Sequence, residues 1–255
     1  MTSANTHLAR TYVAGLPVTV ADMNQAIGLL WKDVEGRIPR VYVFVNAYSA
    51  ALRRRDEYRV VLDDDAVVPL ADGASITLGA ALVGQGRIGR CPGPDLFEQA
   101  SQRAALDGTR FYLLGGDEGV VEELAAFMRE RFSGIRIVGT ATPPFGVWTD
   151  ELSRGLVERV RESGADVLWM GVSAPKQESW AVRWHIDVGR PIVCVGAAFD
   201  FLSGRKPRAP LWVRRVNAEW LFRLLSEPRR LLWRYLGGNA VFLFDLMRYR
   251  DHSPT

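Results

Sequence analysis

Asp72 stands in Pro69-Leu70-Ala71-Asp72-Gly73, just past an apolar run and with a glycine behind it to relax the backbone. A carboxylate there can take a proton from a hydroxyl as a general base; a helix N-cap is an equal alternative. Asn46, directly after Val41–Val45, offers a donor and an acceptor to a sugar, and would equally cap a helix over 47–55. Arg90 precedes Cys91-Pro92-Gly93-Pro94-Asp95 and could meet a phosphate, although alone it reads as a surface arginine. Asp95 reads as a cap. Phe111–Val120 is strand, Gly115-Gly116 turn and helix start, in which Asp117 caps. Glycines admit a phosphate to the backbone and a first helical turn favours an anion; a tight strand–helix turn explains the pair equally well. Lys176, Gln177 and Glu178 follow a strand and could face a base or ribose. Asp63-Asp64-Asp65 could clamp a divalent ion against a diphosphate, but a solvated turn is the better reading.

These residues need a scaffold that gathers loop tips. Apolar runs of strand length (Val41–Val45, Ala66–Leu70, Arg110–Leu114, Ile135–Gly139, Val167–Gly171, Pro191–Val195) alternate with helical periodicity. That alternation predicts an α/β, Rossmann-like, mostly parallel sheet flanked by helices. In such sheets the ligand crevice lies at the carboxyl ends of the strands, where Asn46, Asp72 and the Gly pair fall. The best helix spans about Asp117 to Phe132, with Val121, Leu124, Ala125, Met128 and Phe132 on one face. Beyond Gly204, Pro207 and Pro210 break the pattern. Helices then follow at about Asn217–Ser226 and from Pro228 to Met247, the second with a weak point at Gly237-Gly238. Residues 1–204 thus read as a body and 205–255 as a basic helical appendage.

Charge divides the chain the same way. The net charge of +3 hides a body holding 21 of 32 cations and 25 of 29 anions, and a tail carrying the other 11 and 4. Every tail cation but Lys206 is arginine, interleaved with aromatic residues such as Trp212, Trp220, Trp233 and Tyr235. Arginine suits phosphate, and aromatic rings settle at a membrane–water boundary. A preference for arginine throughout the chain, 29 against 3 lysines, does not explain the clustering. Two cysteines and three histidines without metal-ligand spacing argue against a disulfide framework and a metal centre. No cofactor is expected. Nor does any stretch read as a secretory signal or a membrane span. The expectation is a cytoplasmic protein, peripheral on the inner face of the membrane.

The stretches VNAYSA (45–50), PLADG (69–73), RCPGPDLF (90–97), FYLLGG (111–116), MGVSAPKQESW (170–180), VGAAFDFLSG (195–204), RAP (208–210) and AEWLFRLLSEPRRLLWRY (218–235) resemble, in order and spacing, the WecG/TagA/CpsF family of bacterial glycosyltransferases over roughly residues 40–236. The resemblance implies an inverting, metal-independent transfer of an N-acetylmannosamine-type or related sugar. The donor would be a UDP-sugar, and the acceptor a saccharide on a polyprenyl diphosphate used in cell-surface polysaccharide synthesis. It assigns the base to Asp72, with Asn46 and Arg90 beside it. It brings Arg223 and Arg230, with Arg234 close by, to the diphosphate as the tail folds over the site; Arg208, in the RAP stretch, is a further substrate-binding candidate. Phe44-Val45 replaces the Thr-Pro of many members, and Trp233 a basic residue. The first change bears on which sugar is transferred, the second on the balance between diphosphate and membrane contact. Other classes left by the residues are a non-catalytic nucleotide-binding protein recruited to the membrane and a nicotinamide-dependent oxidoreductase lacking GxGxxG. Nucleic acid is not expected as a partner. An apolar, basic tail also leaves open burial against a second copy of the chain.

Overall fold

The six apolar runs pair into one parallel sheet in the computed structural model, which describes residues 9–85, 88–205, 209–210, 212–213 and 219–249. An N-terminal antiparallel hairpin precedes it, β1 (Arg10–Val13) and β2 (Leu16–Thr19). Ala14 and Gly15 both hold positive φ, 52° and 72°, as a two-residue turn between twisted strands requires. The sheet strands are β3 (Val41–Val45), β4 (Val67–Ala71), β5 (Arg110–Gly115), β6 (Arg136–Ala141), β7 (Val167–Gly171) and β8 (Ile192–Cys194), in the order β4-β3-β8-β7-β5-β6. The predicted strands hold to within two residues at their ends.

Side chains alternate across the sheet with period two. Val41, Val43, Leu114, Leu168, Met170 and Ile192 enter one core, whereas Tyr42, Leu70, Phe111, Leu113, Trp169 and Val193 enter the other. Helices α1 (Met23–Gly36), α5 (Gly93–Asp107), α6 (Val120–Arg131) and α9 (Ala198–Leu202) cover the second face. On the first lie α2 (Ala47–Arg53), α3 (Asp56–Asp63), α4 (Ala74–Leu82), α7 (Asp150–Glu162) and α8 (Lys176–Val188). Apolar residues on both faces of each strand explain the near-continuous runs in the sequence.

Helix α6 corrects one expectation. It starts at Val120, because Gly119 takes a left-handed conformation (φ 79°) as its N-cap. Asp117 therefore lies in the preceding turn, where its carbonyl accepts from Val120 N at 3.0 Å. Asp95 likewise lies inside the first turn of α5, whose N-cap is Pro92.

The tail contributes α10 (Glu219–Ser226) and α11 (Pro228–Arg248). Helix α11 runs unbroken through Gly237-Gly238. A Cβ on Gly238 would lie 3.0 Å from Tyr48 Cα, so the glycine at the expected weak point admits a close approach of α11 to α2. Phe242 and Leu246 of α11 are buried in the first-face core with Val13, Ala50 and Ile76.

Close packing also decides the glycines at the strand ends. A Cβ on Gly171 would sit 2.3 Å from Cδ2 of Phe199, a fully buried ring near Phe97. Gly171→Ala is expected to cost about 1–3 kcal/mol through overpacking. That corresponds to a melting temperature lower by roughly 2–10 °C, measurable by scanning calorimetry.

Candidate active site

Parallel pairing puts the ends of β3 and β4 in register. Val45 stands opposite Ala71, and Asp72 N donates to Val45 O at 3.0 Å, extending the ladder by one rung. Asn46 and Asp72 are thereby neighbours at the carboxyl edge. Asn46 takes the capping role and also reaches Asp72. Its Oδ1 accepts from Tyr48 N at 3.0 Å as the N-cap of α2, and its Nδ2 donates to Asp72 Oδ2 at a long 3.4 Å. Asp72 does not cap α4, whose N-cap is Gly73 with no side-chain bond. Its carboxylate instead meets Asn46 and lies near the charges of Arg223, Glu219 and Arg90. A Cβ on Gly73 would come 3.2 Å from Asn46 Cβ, so glycine keeps the two loops together.

The segment before α5 joins this edge. Cys91 N donates to Ala71 O at 2.6 Å, and Arg90 Nε donates to Asp72 O at 2.9 Å. Arg90 Nη2 reaches Glu219 Oε2 at 3.1 Å. Cys91 is buried, and burial together with the charges of Asp22 and Asp72 pushes its thiol up to about 12. It remains a protonated packing residue.

Glu219 was not foreseen. It is one of four acidic residues in a basic tail, four positions before Arg223, a spacing that places both on one face of α10. Glu219 is buried. The Arg223 guanidinium lies 4.4 Å from the centroid of the Phe201 ring, and its Nε is buried with no hydrogen-bond partner among the described residues. Asp72, half-buried in this crevice, feels all of them. Burial is the strongest influence and raises its pKa above 3.8; Glu219 raises it further, while Arg223, Arg90 and the Asn46 bond pull it down. The net direction is up.

The remaining candidates lie further along the same edge, across β8. Gly115 takes φ 132°, and a Cβ there would strike the Gly171 carbonyl carbon at 2.7 Å; Gly116 takes φ 73°, with Val120 Cβ 2.8 Å away. Gly115 serves close packing of the β5 and β7 ends, and Gly116 close packing of the turn against the start of α6. Gln177 is buried and stitches α8 to the end of β8, donating to Cys194 O at 3.2 Å and accepting from Gly196 N at 3.2 Å. Its Nε2 also donates to Glu178 Oε1 at 2.9 Å. Lys176 lies 4.1 Å over the Trp148 ring and bonds the Gly146 carbonyl; partial burial lowers its pKa. Between the two groups α9 follows β8, setting Phe201 under Arg223 and Phe199 against Gly171.

Asp63, Asp64 and Asp65 precede β4 and so lie at the opposite, amino edge of the sheet. Asp63 faces Arg53 at 3.7 Å, and Asp64 Oδ1 accepts from Ala66 N at 2.8 Å. Among the described residues no group of three His, Cys, Asp or Glu side chains could hold a metal ion. Arg208 and the side chains of Arg230 and Arg234 lie outside the described residues.

Fold and site together define an α/β protein in which polar side chains gather at the carboxyl edge of a parallel sheet, beside an arginine-bearing helix. Residues 11–254 match the family model for glycosyl transferases of the WecG/TagA/CpsF family. The chain belongs to that family, and is a glycosyltransferase of cell-surface polysaccharide biosynthesis. The match extends beyond residues 40–236, taking in the hairpin and α11.

Proposed function

We propose that the protein transfers a sugar from a UDP-sugar to a saccharide on a polyprenyl diphosphate, with inversion, and that Asp72 is the base. The observation that carries this reading is the Asp72 carboxylate, oriented by Asn46 at the crevice, beside Arg90 and under the guanidinium-bearing face of α10. The acceptor hydroxyl attacks the anomeric carbon from the face opposite the leaving group. Its oxygen–carbon bond forms as the bond from that carbon to UDP breaks, and its proton passes to Asp72. Charge gathers on the departing diphosphate, where Arg223 can offer its unpartnered Nε–H and its positive charge. The strand ends from β4 to β5 are four spacings apart, roughly 19 Å, a width that suits an extended nucleotide-sugar. The Gly115-Gly116 turn and Lys176 would then lie toward the nucleotide.

No described helix is long and apolar enough to cross a membrane. Trp212, Trp220 and Trp233 of the tail are at least half exposed, a composition that suits peripheral contact with an anionic leaflet. Such contact would put the site beside a lipid-linked acceptor.

A base must be ionised to act, so turnover falls on acidification through the folded pKa of Asp72. Because burial raises that pKa above 3.8, the acid limb of the pH–rate profile is expected at higher pH than an ordinary aspartate would place it. A limb at or below the ordinary value would remove Asp72 as the base.

The test of the reaction is UDP release from a panel of UDP-sugars, including N-acetylmannosamine, its uronic acid, glucose and N-acetylglucosamine donors. Each is assayed with a polyprenyl-diphosphate saccharide, with and without a chelator. Acceptor-dependent release insensitive to chelation is expected. UDP binding without turnover on any donor would favour the non-catalytic reading instead.

A further inference from the structure

At the far end of α2 from Asn46, about 10 Å along the helix axis, a polar cavity opens. It measures roughly 350 Å³ and lies between the last turn of α2, α3 and the last turn of α11. Its lining carries four guanidinium groups, Arg53, Arg54, Arg59 and Arg248, against one carboxylate, Asp245. That carboxylate is occupied by Arg54 at 3.1 Å. Arg59 reaches Asp56 at 2.9 Å, but both side chains are at least half exposed, so this pair neutralises little. Arg53 is only 16% exposed and meets its nearest carboxylate, Asp63, at 3.7 Å. Its Nε is buried with no hydrogen-bond partner among the described residues. A buried charged donor without an acceptor is costly, and a guanidinium fork is shaped for an oxyanion.

We propose that this cavity is a phosphate-binding site, separate from the transfer site, and that the phosphate is that of an anionic phospholipid headgroup. The flanking residues favour a lipid over a free anion. Phe244 in the cavity wall is 52% exposed, and Val60, Leu243 and Met247, next in the chain to lining residues on the same two helices, are apolar and 57–72% exposed. A cationic cavity with an exposed aromatic ring in its wall, on helices that carry further exposed apolar side chains, receives a headgroup while those side chains meet the acyl boundary. The site rests on the peripheral membrane contact proposed above and ties α11 to the bilayer through arginines other than Arg223, independently of which sugar is transferred.

The full chain is sedimented with phosphatidylcholine vesicles with and without phosphatidylglycerol, and inorganic phosphate binding is measured separately by calorimetry. Arg59→Gln/Arg248→Gln, both surface changes, is expected to weaken binding to the anionic vesicles by roughly 25-fold, about fivefold per arginine. A charge-matched control, Arg129→Gln/Arg154→Gln on α6 and α7, should bind as wild type. Arg53→Lys keeps the charge but removes the buried Nε–H, and is expected to weaken the same binding. Saturable binding of inorganic phosphate that the cavity variants lose, with vesicle binding unchanged, would assign the site to free phosphate instead of lipid. Vesicle and phosphate binding equal to wild type in the cavity variants, or an equal loss in the control, would overturn the proposal.

Discussion

Asp72→Asn is expected to lower turnover by roughly 10²–10⁴-fold, the usual contribution of a general base, while leaving the melting temperature at neutral pH unchanged or higher. The two halves share one cause. Burial is the largest influence on this carboxyl and disfavours its charged form. A raised folded pKa means that Asp72 favours folding most below its unfolded pKa and loses that contribution as pH rises through the folded value. At neutral pH the ionised side chain is therefore held at a cost. Asparagine removes the charge, fills the same space and still offers an oxygen to Asn46 Nδ2. Loss of turnover with retained stability separates a role in chemistry from one in structure. Steady-state kinetics and calorimetry on the same preparation make the comparison. A variant that kept wild-type turnover would remove Asp72 from the mechanism, and one that unfolded would make it a structural residue.

Arg90→Met is expected to lose about 2–3 kcal/mol of stability and most of kcat/KM. Arg90 ties three parts of the chain: its own loop, the backbone of Asp72 at 2.9 Å and Glu219 of α10 at 3.1 Å. With side chains 21% and 12% exposed, the Arg90–Glu219 pair is largely removed from water. Deleting one partner strands the other, at up to 3–5 kcal/mol for a fully buried pair; the residual exposure lowers that figure. Methionine fills the volume of the arginine stem, so the loss reports the polar links. Glu219→Leu on top of Arg90→Met should cost little more, with a coupling of about 0.5–3 kcal/mol in the double-mutant cycle. Urea unfolding of the four proteins measures it. Additive effects would show that the contact does not hold α10 at the crevice.

Period-two burial made the sheet readable. Strands such as Val41–Val45 and Val167–Gly171 enter both cores, and such runs show in a sequence as unbroken apolar segments. The hairpin escaped notice because Ala14-Gly15 is a weak turn signal and β1 and β2 have only four residues each. The start of α6 was misplaced because Asp117 looks like a cap, whereas the left-handed backbone at Gly119 selects Val120. Gly237-Gly238 suggested a break, since a glycine cut for close helix packing has the same letter as one cut for bending. Glu219 was passed over in a segment judged by its positive charge.

The residue types and their place after strands were determined by the sequence alone: an aspartate and an asparagine where a parallel sheet puts its ligand crevice, with a basic helical tail beyond. Alternating strand and helix patterns carry that information locally, because side-chain period and turn chemistry act over a few residues. Which loops meet was decided only by tertiary structure. Strand order makes β3 and β4 neighbours and so joins Asn46 to Asp72; it also places β8 between them and the Gly115-Gly116 turn. The descent of α10 brings Glu219 to Arg90, 129 residues away in the chain. Such pairings depend on the crossovers between strands and on burial of the tail against α2, and no local pattern records either.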